Sequence, residues 1–333
     1  MKDCPFYAGS TIEDPRFFIG RRDLLKLLSD RMQSSQPTSI NIVGRHKTGK
    51  SSLLIHFQQS YRQRVKNPEL YKVIYLSLQD VACQTEQSFY GEIIKAVGAQ
   101  QDSNPSRSAF NAWIRDLKEQ GTTLVLCIDN FEELLERQDK FPNDFYDNLR
   151  FLIDRNCLMM VMASQEMLDL YSQTKKITSD FFNVFHTATI NQGFSDLEAE
   201  ELVSWKNSAG EGLTADMKKI ALNWGQNEPF LLQLAGRTLW DMQQYGKSQK
   251  WAKLEFTRQA NRFKPASNTA FTQFLFHKIS DIGQLSVWTL NNKDELKNFW
   301  FGLFVIGVGL GVFLLFISGN IDLEQIRAIY QKK

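Results

Sequence analysis

Residues 44–51 constrain the fold of this chain more than any other segment. They read Gly-Arg-His-Lys-Thr-Gly-Lys-Ser and match the pattern G-x-x-x-x-G-K-S/T at all four constrained positions. A short apolar run, 40–43, precedes the segment, and a helical pattern follows it from Ser51, as the motif requires. Backbone N–H groups of such a loop surround phosphates at the positive end of the following helix. The segment therefore predicts a P-loop for ATP, or another nucleoside triphosphate, with Mg²⁺.

Two residues of this loop have a specific expected role. Lys50 would reach the β- and γ-phosphates, and the Ser51 hydroxyl would be a ligand of Mg²⁺. The other candidate nucleotide-binding residues of the segment are Gly44, Lys47, Thr48, Gly49 and Ser52. ATP and Mg²⁺ are thus the expected cofactors.

Strand and helix patterns alternate over the first part of the chain. Apolar runs typical of buried strands lie at 40–43, 72–78, 122–128 and 158–163. Because these runs are mainly apolar and do not alternate with polar residues as half-buried strands do, we predict an α/β fold, a P-loop NTPase parallel sheet with helices on both faces. After Gln192 the pattern is helical only, with a capping box at Ser195 and Pro229 at the first position of a later helix. A small all-α lid subdomain is therefore expected.

Two polar residues end the later strand runs. Asp129 follows the third run and is the natural Walker B acid, which would hold Mg²⁺ together with Ser51. Ser164 follows the fourth run and could lie beside the γ-phosphate as a polar sensor. A serine at the end of a strand is also common without such a role.

Residues 299–319 contain no charged residue. This stretch matches the ~20 apolar residues that cross a bilayer as a helix, and core helices seldom lack a polar stripe over this length. Gly307 and Gly311 form a G-x-x-x-G pattern that would allow two membrane helices to approach closely, although glycine is frequent in such helices anyway. We expect a single-pass membrane protein whose ATPase domain faces the nucleotide pool of the cytoplasm.

Composition limits the expected partners. A net charge of +2 argues against a dedicated nucleic-acid binder, and the four cysteines form no C-x-x-C pair that would indicate a metal site. The predicted organisation is a P-loop ATPase core (1–192), a helical lid subdomain (193–246), a linker (247–297), a transmembrane helix (298–319) and a short tail (320–333).

The segment Phe18-Ile19-Gly20-Arg21 resembles the F-I/V-G-R motif that precedes the P-loop in AAA-like and STAND ATPases, which include NACHT and archaeal-type ATPases. The resemblance continues through LVLCIDNFEEL, VMASQE, FSDLEAEELV and NEPFLLQLAG, and covers about residues 14–245. It implies a nucleotide-controlled switch whose lid closes over ATP and which assembles on binding it, so a homo-oligomer is expected. It also implies that Gly20 and Arg21 border the adenine pocket and that Pro229 contacts the nucleotide from the lid. Pro229 is equally well explained as the first residue of a helix.

The chain departs from this family pattern after Asp129. The family usually reads Asp-Glu here, whereas this chain has Asn130, whose amide cannot accept a proton from an attacking water. Glu132 or Glu133 could substitute, although acids also suit the first turn of a helix. Asp129 and Glu132 are therefore the candidate catalytic residues, hydrolysis is expected to be slow or absent, and Asn130→Glu is expected to accelerate it.

Three functions fit these observations. The first is a membrane-anchored, STAND-like ATP switch, with a role in bacterial signalling or defence implied by the resemblance alone. The second is an active P-loop ATPase, which needs an arginine finger, for which Arg150 and Arg155 are candidates. The third is an ATP-dependent DNA-binding protein of the origin-recognition type, because the F-I/V-G-R motif also occurs there. The upstream signal and any partner protein are not evident from the sequence.

Overall fold

The computed structural model describes residues 3–99, 105–175, 179–190 and 193–262. Within these ranges no helix is both long and apolar enough to cross a membrane. The predicted transmembrane helix (298–319), the tail (320–333) and the linker beyond residue 262 lie outside the described residues.

A five-stranded parallel sheet forms the centre of the core, with the strand order β2-β3-β4-β1-β5. The strands are β1 (Ile40–Val43), β2 (Tyr71–Ser77), β3 (Thr123–Asp129), β4 (Leu158–Ser164) and β5 (His186–Thr189). The four strands predicted from apolar runs are confirmed. The sequence did not predict β5, because this edge strand buries only Ala188 and so has no apolar run.

Helices cover both faces of the sheet. They are α1 (Arg22–Met32), α2 (Lys50–Ser60), α3 (Glu86–Val97), α4 (Arg107–Glu119), α5 (Glu132–Glu136), α6 (Asn143–Asp154) and α7 (Leu168–Lys175). Side chains of β3 alternate between two apolar clusters: Leu124 and Leu126 join the cluster of α3, α4 and α6, whereas Val125 and Cys127 join that of α1 and α2. This alternation with a period of two explains why β3 is apolar at nearly every position.

Four further helices form the lid subdomain: α8 (Asp196–Val203), α9 (Ala215–Gly225), α10 (Pro229–Gln244) and α11 (Gln249–Asn261). We predicted that the lid ends at residue 246 and that less regular chain follows from 247. The structure instead continues the lid with α11, which begins after a side-chain cap from Ser248 and packs against α10. This helix forms because Ala252, Phe256 and Ala260 make a buried stripe along one of its faces.

The segment before α1 is mostly irregular, with one short 3-10 turn, but it belongs to the apolar core of the lid. Phe6 is buried against Gly236 of α10, where an added Cβ would contact the Phe6 ring at 2.4 Å. Ile19 is buried in the same cluster. The chain before the P-loop therefore runs between the lid and the sheet, and this path shapes the cleft described next.

Candidate functional site

One cleft brings the P-loop, the end of β3 and the lid together. It contains about 1150 Å³ of empty space, part of which is open to solvent. It lies at the carboxyl ends of the parallel strands, where ligands of open α/β sheets bind. The sequence-predicted residues that line it are Arg21, Lys47, Thr48, Gly49, Lys50, Ser51, Ser52, Asp129, Glu132 and Pro229.

The P-loop curls around the side chain of Lys50. The Lys50 Nζ atom donates to the carbonyl oxygens of Gly44 at 2.6 Å and Arg45 at 3.0 Å, and Gly49 has φ of +93° before α2 begins. Burial lowers the pKa of Lys50, and the carboxylates of Glu132 and Asp129 oppose this shift. A partly desolvated ammonium at the centre of a loop of N–H groups is suited to binding an anion.

The hydroxyl groups next to Lys50 have different partners. Ser51 lines the cleft in the first turn of α2. The Ser52 Oγ atom accepts the backbone N–H of Ile12 at 3.0 Å, so this side chain holds the N-terminal segment against α2. Thr48 Oγ1 donates to the Arg45 carbonyl at 2.9 Å and stabilises the loop. Of the three, Ser51 is thus the candidate metal ligand.

Asp129 ends β3 and is almost fully buried. Its Oδ2 atom accepts the Tyr75 hydroxyl at 2.9 Å, and its Oδ1 atom accepts the Asn130 N–H at 3.0 Å. Burial, followed by the charge of Asp129, raises the pKa of Tyr75, so the phenol stays a donor. Asp129 and Ser51 supply the hard oxygen ligands that Mg²⁺ takes beside phosphates, so the donor set fits this ion. In the described part of the chain, no group of three His, Cys, Asp or Glu residues could hold a metal alone.

The two glutamates that follow Asn130 differ in position. Glu132 lines the cleft, and its Oε1 atom accepts the backbone N–H of Gln165 and, at 3.1 Å, the hydroxyl of Tyr171. Glu133 instead pairs with Arg137 at 3.0 Å and does not line the cleft. The geometry therefore favours Glu132 over Glu133 as the acid nearest the site.

The side chain of Asn130 is engaged by a residue of β2. Its Nδ2 atom donates to Ser77 Oγ at 3.3 Å, and its φ of +55° lies in the left-handed region, which asparagine tolerates better than glutamate. Asn130 lines the cleft, so a glutamate at this position would lie at the site, although its backbone would be strained. The gain in hydrolysis from Asn130→Glu stays a prediction.

Ser164 is placed away from the cleft. Its fully buried hydroxyl lies 3.0 Å from Asn41 Oδ1 and 2.7 Å from the Glu166 carbonyl, within the end of the sheet. Its own carbonyl accepts the Gly44 N–H at 3.1 Å and so ties β4 to the P-loop. The next residue, Gln165, lines the cleft. A sensor role at this strand end thus fits Gln165 better than Ser164.

Gly20 and Arg21 join the core to the lid. Gly20 has φ of +72° and packs against Glu198, which an added Cβ would meet at 2.5 Å. The Arg21 Nη2 atom donates to the Thr48 carbonyl at 3.4 Å, and its guanidinium lies 5.3 Å from the centre of the Phe194 ring. Burial lowers the pKa of Arg21, although Glu198 and Glu228 oppose the shift. Arg21 borders the cleft, whereas Gly20 shapes the contact behind it.

The lid contributes an aromatic wall. Pro229 begins α10 and lines the cleft, and the next ring, Phe230, lies 4.4 Å from Lys47 Nζ. Burial lowers the pKa of Lys47. Three more rings continue this wall. The ring centroids of Tyr7 and Phe17 lie 5.1 Å apart, and those of Phe17 and Trp205 lie 5.3 Å apart. Tyr7 and Phe17 were not predicted, because the irregular segment before α1 gives no periodic pattern; the aromatic residues between positions 6 and 18 were the signal available there.

The two candidate arginine fingers lie elsewhere. Arg150 pairs with Asp154 and Asp180, and Arg155 lies over the ring of Phe151. Neither lines the cleft. Within one chain, the structure does not bring them to the nucleotide site.

The sheet domain matches a known family. The sequence model described as "Bacterial TniB protein" matches residues 20–189, from Gly20 to the last residue of β5. The chain belongs to the TniB family. In this TniB-family chain, the matched range includes the P-loop, Asp129 and Glu132, whereas Pro229 and the rest of the lid lie beyond it. No curated protein sequence matches the chain.

Solved structures share the fold at low identity. A Walker-type ATPase of Pyrococcus abyssi is 12% identical with a TM-score of 0.57, covering 84% of this TniB-family chain and 79% of the other. The Aeropyrum pernix ORC2 protein in ADPNP–ADP complexes is 14% identical with a TM-score of 0.57, covering 76% and 71%. Its ADP form is 14% identical with a TM-score of 0.55, covering 74% and 73%. The TniB-family chain therefore has a P-loop ATPase fold.

Proposed function

We propose that this chain binds ATP with Mg²⁺ in the cleft and acts as a STAND-like switch in which the nucleotide controls contact between sheet domain and lid. The observation that carries the proposal is that one cleft is lined by the P-loop Lys50, the Walker B residue Asp129 and the lid residue Pro229. A ligand that touches all three favours the closed arrangement of the two parts, since it binds that arrangement better than an open one.

The residues of the cleft have distinct tasks in this proposal. Lys50 exchanges the carbonyls of Gly44 and Arg45 for the terminal phosphates, since charge-assisted bonds are the stronger ones. Ser51 and Asp129 hold Mg²⁺, which would neutralise phosphate charge when bound. Lys47 and Arg21 add positive charge between the P-loop and the lid.

Hydrolysis by this site is proposed to be slow. Asn130 stands where a carboxylate would accept the proton of the attacking water, and its amide is bonded to Ser77. Glu132 is the carboxylate that remains in the cleft, oriented by Gln165 and Tyr171. We propose that it supplies the residual base activity.

Anchoring and assembly complete the proposal. Residues 299–319 would anchor the protein to a membrane with the ATPase domain in the cytoplasm, an argument that rests on the charge-free sequence alone. Homo-oligomer formation on ATP binding follows from the resemblance to STAND and AAA-like ATPases. A place in bacterial signalling or defence would follow from the same resemblance.

The test of nucleotide binding is Lys50→Ala. This variant should weaken ATP binding by about 10- to 100-fold, because it removes a charge-assisted contact, while the circular dichroism spectrum stays unchanged. Lys26→Ala is the matched control, since Lys26 is an exposed lysine paired with Asp30 on α1. Titration calorimetry with ATP and Mg²⁺ measures both. If Lys50→Ala binds ATP as tightly as the wild type, the P-loop assignment is overturned.

The second candidate is an ATP-dependent DNA-binding protein of the origin-recognition type. It gains support at the level of fold from the Aeropyrum pernix ORC2 structures. The expectation from net charge that nucleic acid is not a partner has gained no support. Fluorescence anisotropy with duplex DNA, with and without ATP and at two salt concentrations, tests this candidate, because phosphate contacts make binding fall with salt.

A further inference from the structure

The aromatic end of the cleft contains a buried amide with an unused donor. Gln233 on α10 is only 5% exposed and lines the cleft. Its Oε1 atom accepts the backbone N–H of Tyr7 at 2.9 Å. Its Nε2 atom is buried and has no hydrogen-bond partner among the described residues. Buried donors are nearly always paired, so this one needs an explanation.

The orientation of this amide is fixed by the chain. The Tyr7 N–H group can be satisfied only by an acceptor, so the oxygen of Gln233 must face Tyr7 and the NH₂ group must face the other way. The contact joins the N-terminal segment to α10 across the mouth of the cleft. Gln233 therefore presents two N–H donors as part of a rigid arrangement rather than as a free surface side chain.

Gln233 lines the cleft on the lid side, away from the P-loop lysine. It lies three residues after Phe230, which contacts the P-loop residue Lys47, so it is about one helical turn further from the phosphates along α10. The same part of the cleft is lined by the rings of Tyr7, Phe17 and Trp205 and by Leu202. Aromatic and aliphatic walls suit the faces of a base, and a single donor suits an acceptor on its edge.

We propose that Gln233 is a specificity-determining residue that donates a hydrogen bond to N1 of adenine. The inference rests on the proposed nucleotide site and adds to it the group that recognises the base. N3 and N7 accept hydrogen bonds in adenine and in guanine alike, whereas N1 is an acceptor in adenine and carries a hydrogen in guanine. Guanine adds donors on one edge, which would need acceptors in an apolar part of the cleft, and unpaired buried groups are strongly selected against. Gln233 therefore favours ATP over GTP.

Two substitutions separate base recognition from phosphate binding. Gln233→Glu keeps the size of the side chain and an oxygen for Tyr7 but replaces the NH₂ group by an acceptor, and Gln233→Leu removes both. Each should lower ATP affinity about tenfold or more and leave the affinity for inorganic tripolyphosphate unchanged. Gln233→Glu should also narrow the preference for ATP over GTP, since its carboxylate accepts from guanine. Lys50→Ala should lower the affinity for both probes.

Thr238→Val is the matched control. Thr238 is a buried polar residue of the same helix whose hydroxyl donates to the Leu234 carbonyl and which does not line the cleft. Its loss should leave ATP and tripolyphosphate affinities as in the wild type. Any effect of Gln233 variants beyond this control belongs to the cleft rather than to the packing of α10.

Deaza analogues of ATP identify the acceptor atom. In 1-deaza-, 3-deaza- and 7-deaza-ATP one ring nitrogen is replaced by carbon, and the wild type should bind 1-deaza-ATP about tenfold more weakly than ATP. The 3-deaza and 7-deaza analogues should bind as tightly as ATP; weak binding of either one instead would mean that the acceptor is shared with guanine and would contradict the role in specificity. In Gln233→Leu the 1-deaza analogue and ATP should bind equally, as a double-mutant cycle requires for a direct contact. Wild-type ATP affinity in both Gln233 variants overturns the inference and leaves the P-loop assignment intact. A wild type that binds neither ATP nor tripolyphosphate overturns both.

Discussion

At the residue scale, the proposed function assigns the two acids beside the P-loop different roles, metal binding to Asp129 and activation of water to Glu132. Asp129 is buried and bonded to Tyr75 and to the Asn130 N–H, so its orientation is fixed before any ligand arrives. Glu132 is held in a comparable way by Gln165 and Tyr171. A carboxylate held by two donors reaches the reacting water in one geometry, which is what general-base catalysis requires.

Glu132→Gln should therefore lower the rate of ATP hydrolysis by about 10²-fold or more, with little change in ATP affinity. The amide keeps an acceptor for Gln165 and Tyr171 but cannot take up a proton. Glu133→Gln is the matched control, because Glu133 pairs with Arg137 outside the cleft. Phosphate release under saturating ATP measures all three proteins. Equal rates in wild type and Glu132→Gln would show that the base lies elsewhere or comes from a partner chain.

The residues of the site that could be predicted from the sequence are those that belong to a motif. Lys50, Ser51 and Asp129 could be selected from the sequence because the P-loop and Walker B patterns fix their spacing to strand and helix, and the structure places all three at the cleft. Tyr75 and Gln233 were not recognised, since each acts through a partner far away in the chain. No pattern in a single sequence indicates a contact between residue 7 and residue 233.

At the element scale, the path of the chain into α1 sets the position of the lid. Gly20 has a left-handed backbone and touches Glu198, whose Oε2 atom accepts the Ser195 N–H at 2.8 Å in the capping box of α8. A side chain at position 20 would have to displace the carboxyl group that caps this helix. The close contact between Gly20 and α8 therefore couples the segment before the P-loop to the lid.

Gly20→Ala should lower the free energy of unfolding by about 1–2 kcal/mol for the left-handed backbone, and by about 1 kcal/mol more for the disturbed cap. Gly98→Ala is the matched control, because Gly98 has φ of +82° with no heavy atom within 4 Å of an added Cβ. Urea denaturation followed by circular dichroism gives both values. If the free energy of unfolding falls by the same amount in the two variants, the Glu198 side chain can move aside without destabilising the protein.

The same scale shows which elements a sequence can predict. β1, β3 and β4 are buried at every position, and the edge strand β2 still buries Val73 and Ile74, so each of the four contains an apolar run. β5 is an edge strand with three exposed residues out of four and gives no such run. α11 was missed because its buried stripe contains two alanines, Ala252 and Ala260, which do not stand out from a polar segment.

At the scale of the whole molecule, residues 3–262 act as one compact unit in which the lid shares its core with the N-terminal segment. Phe6 and Ile19 are buried among lid side chains, while Ile12 is bonded to Ser52 on α2. A ligand in the cleft would therefore contact an N-terminal segment that is attached both to the lid and to α2. This arrangement gives the proposed switch a physical link between bound nucleotide and lid position, through Arg21 and Gln233.

Membrane anchoring is the prediction that belongs to the full chain. Deleting residues 299–333 should move the protein from the detergent-requiring fraction to the soluble fraction, because the charge-free stretch 299–319 is removed. ATP affinity should stay unchanged, since the residues that line the cleft lie between Tyr7 and Gln233. Deleting only residues 320–333 is the control and should leave the protein in the membrane.

The substitution Val308→Arg should weaken membrane retention, because an arginine near the centre of a span costs about 2.5–3.5 kcal/mol on insertion scales. Full-length protein that stays soluble without detergent would contradict the anchor and leave the nucleotide site unaffected.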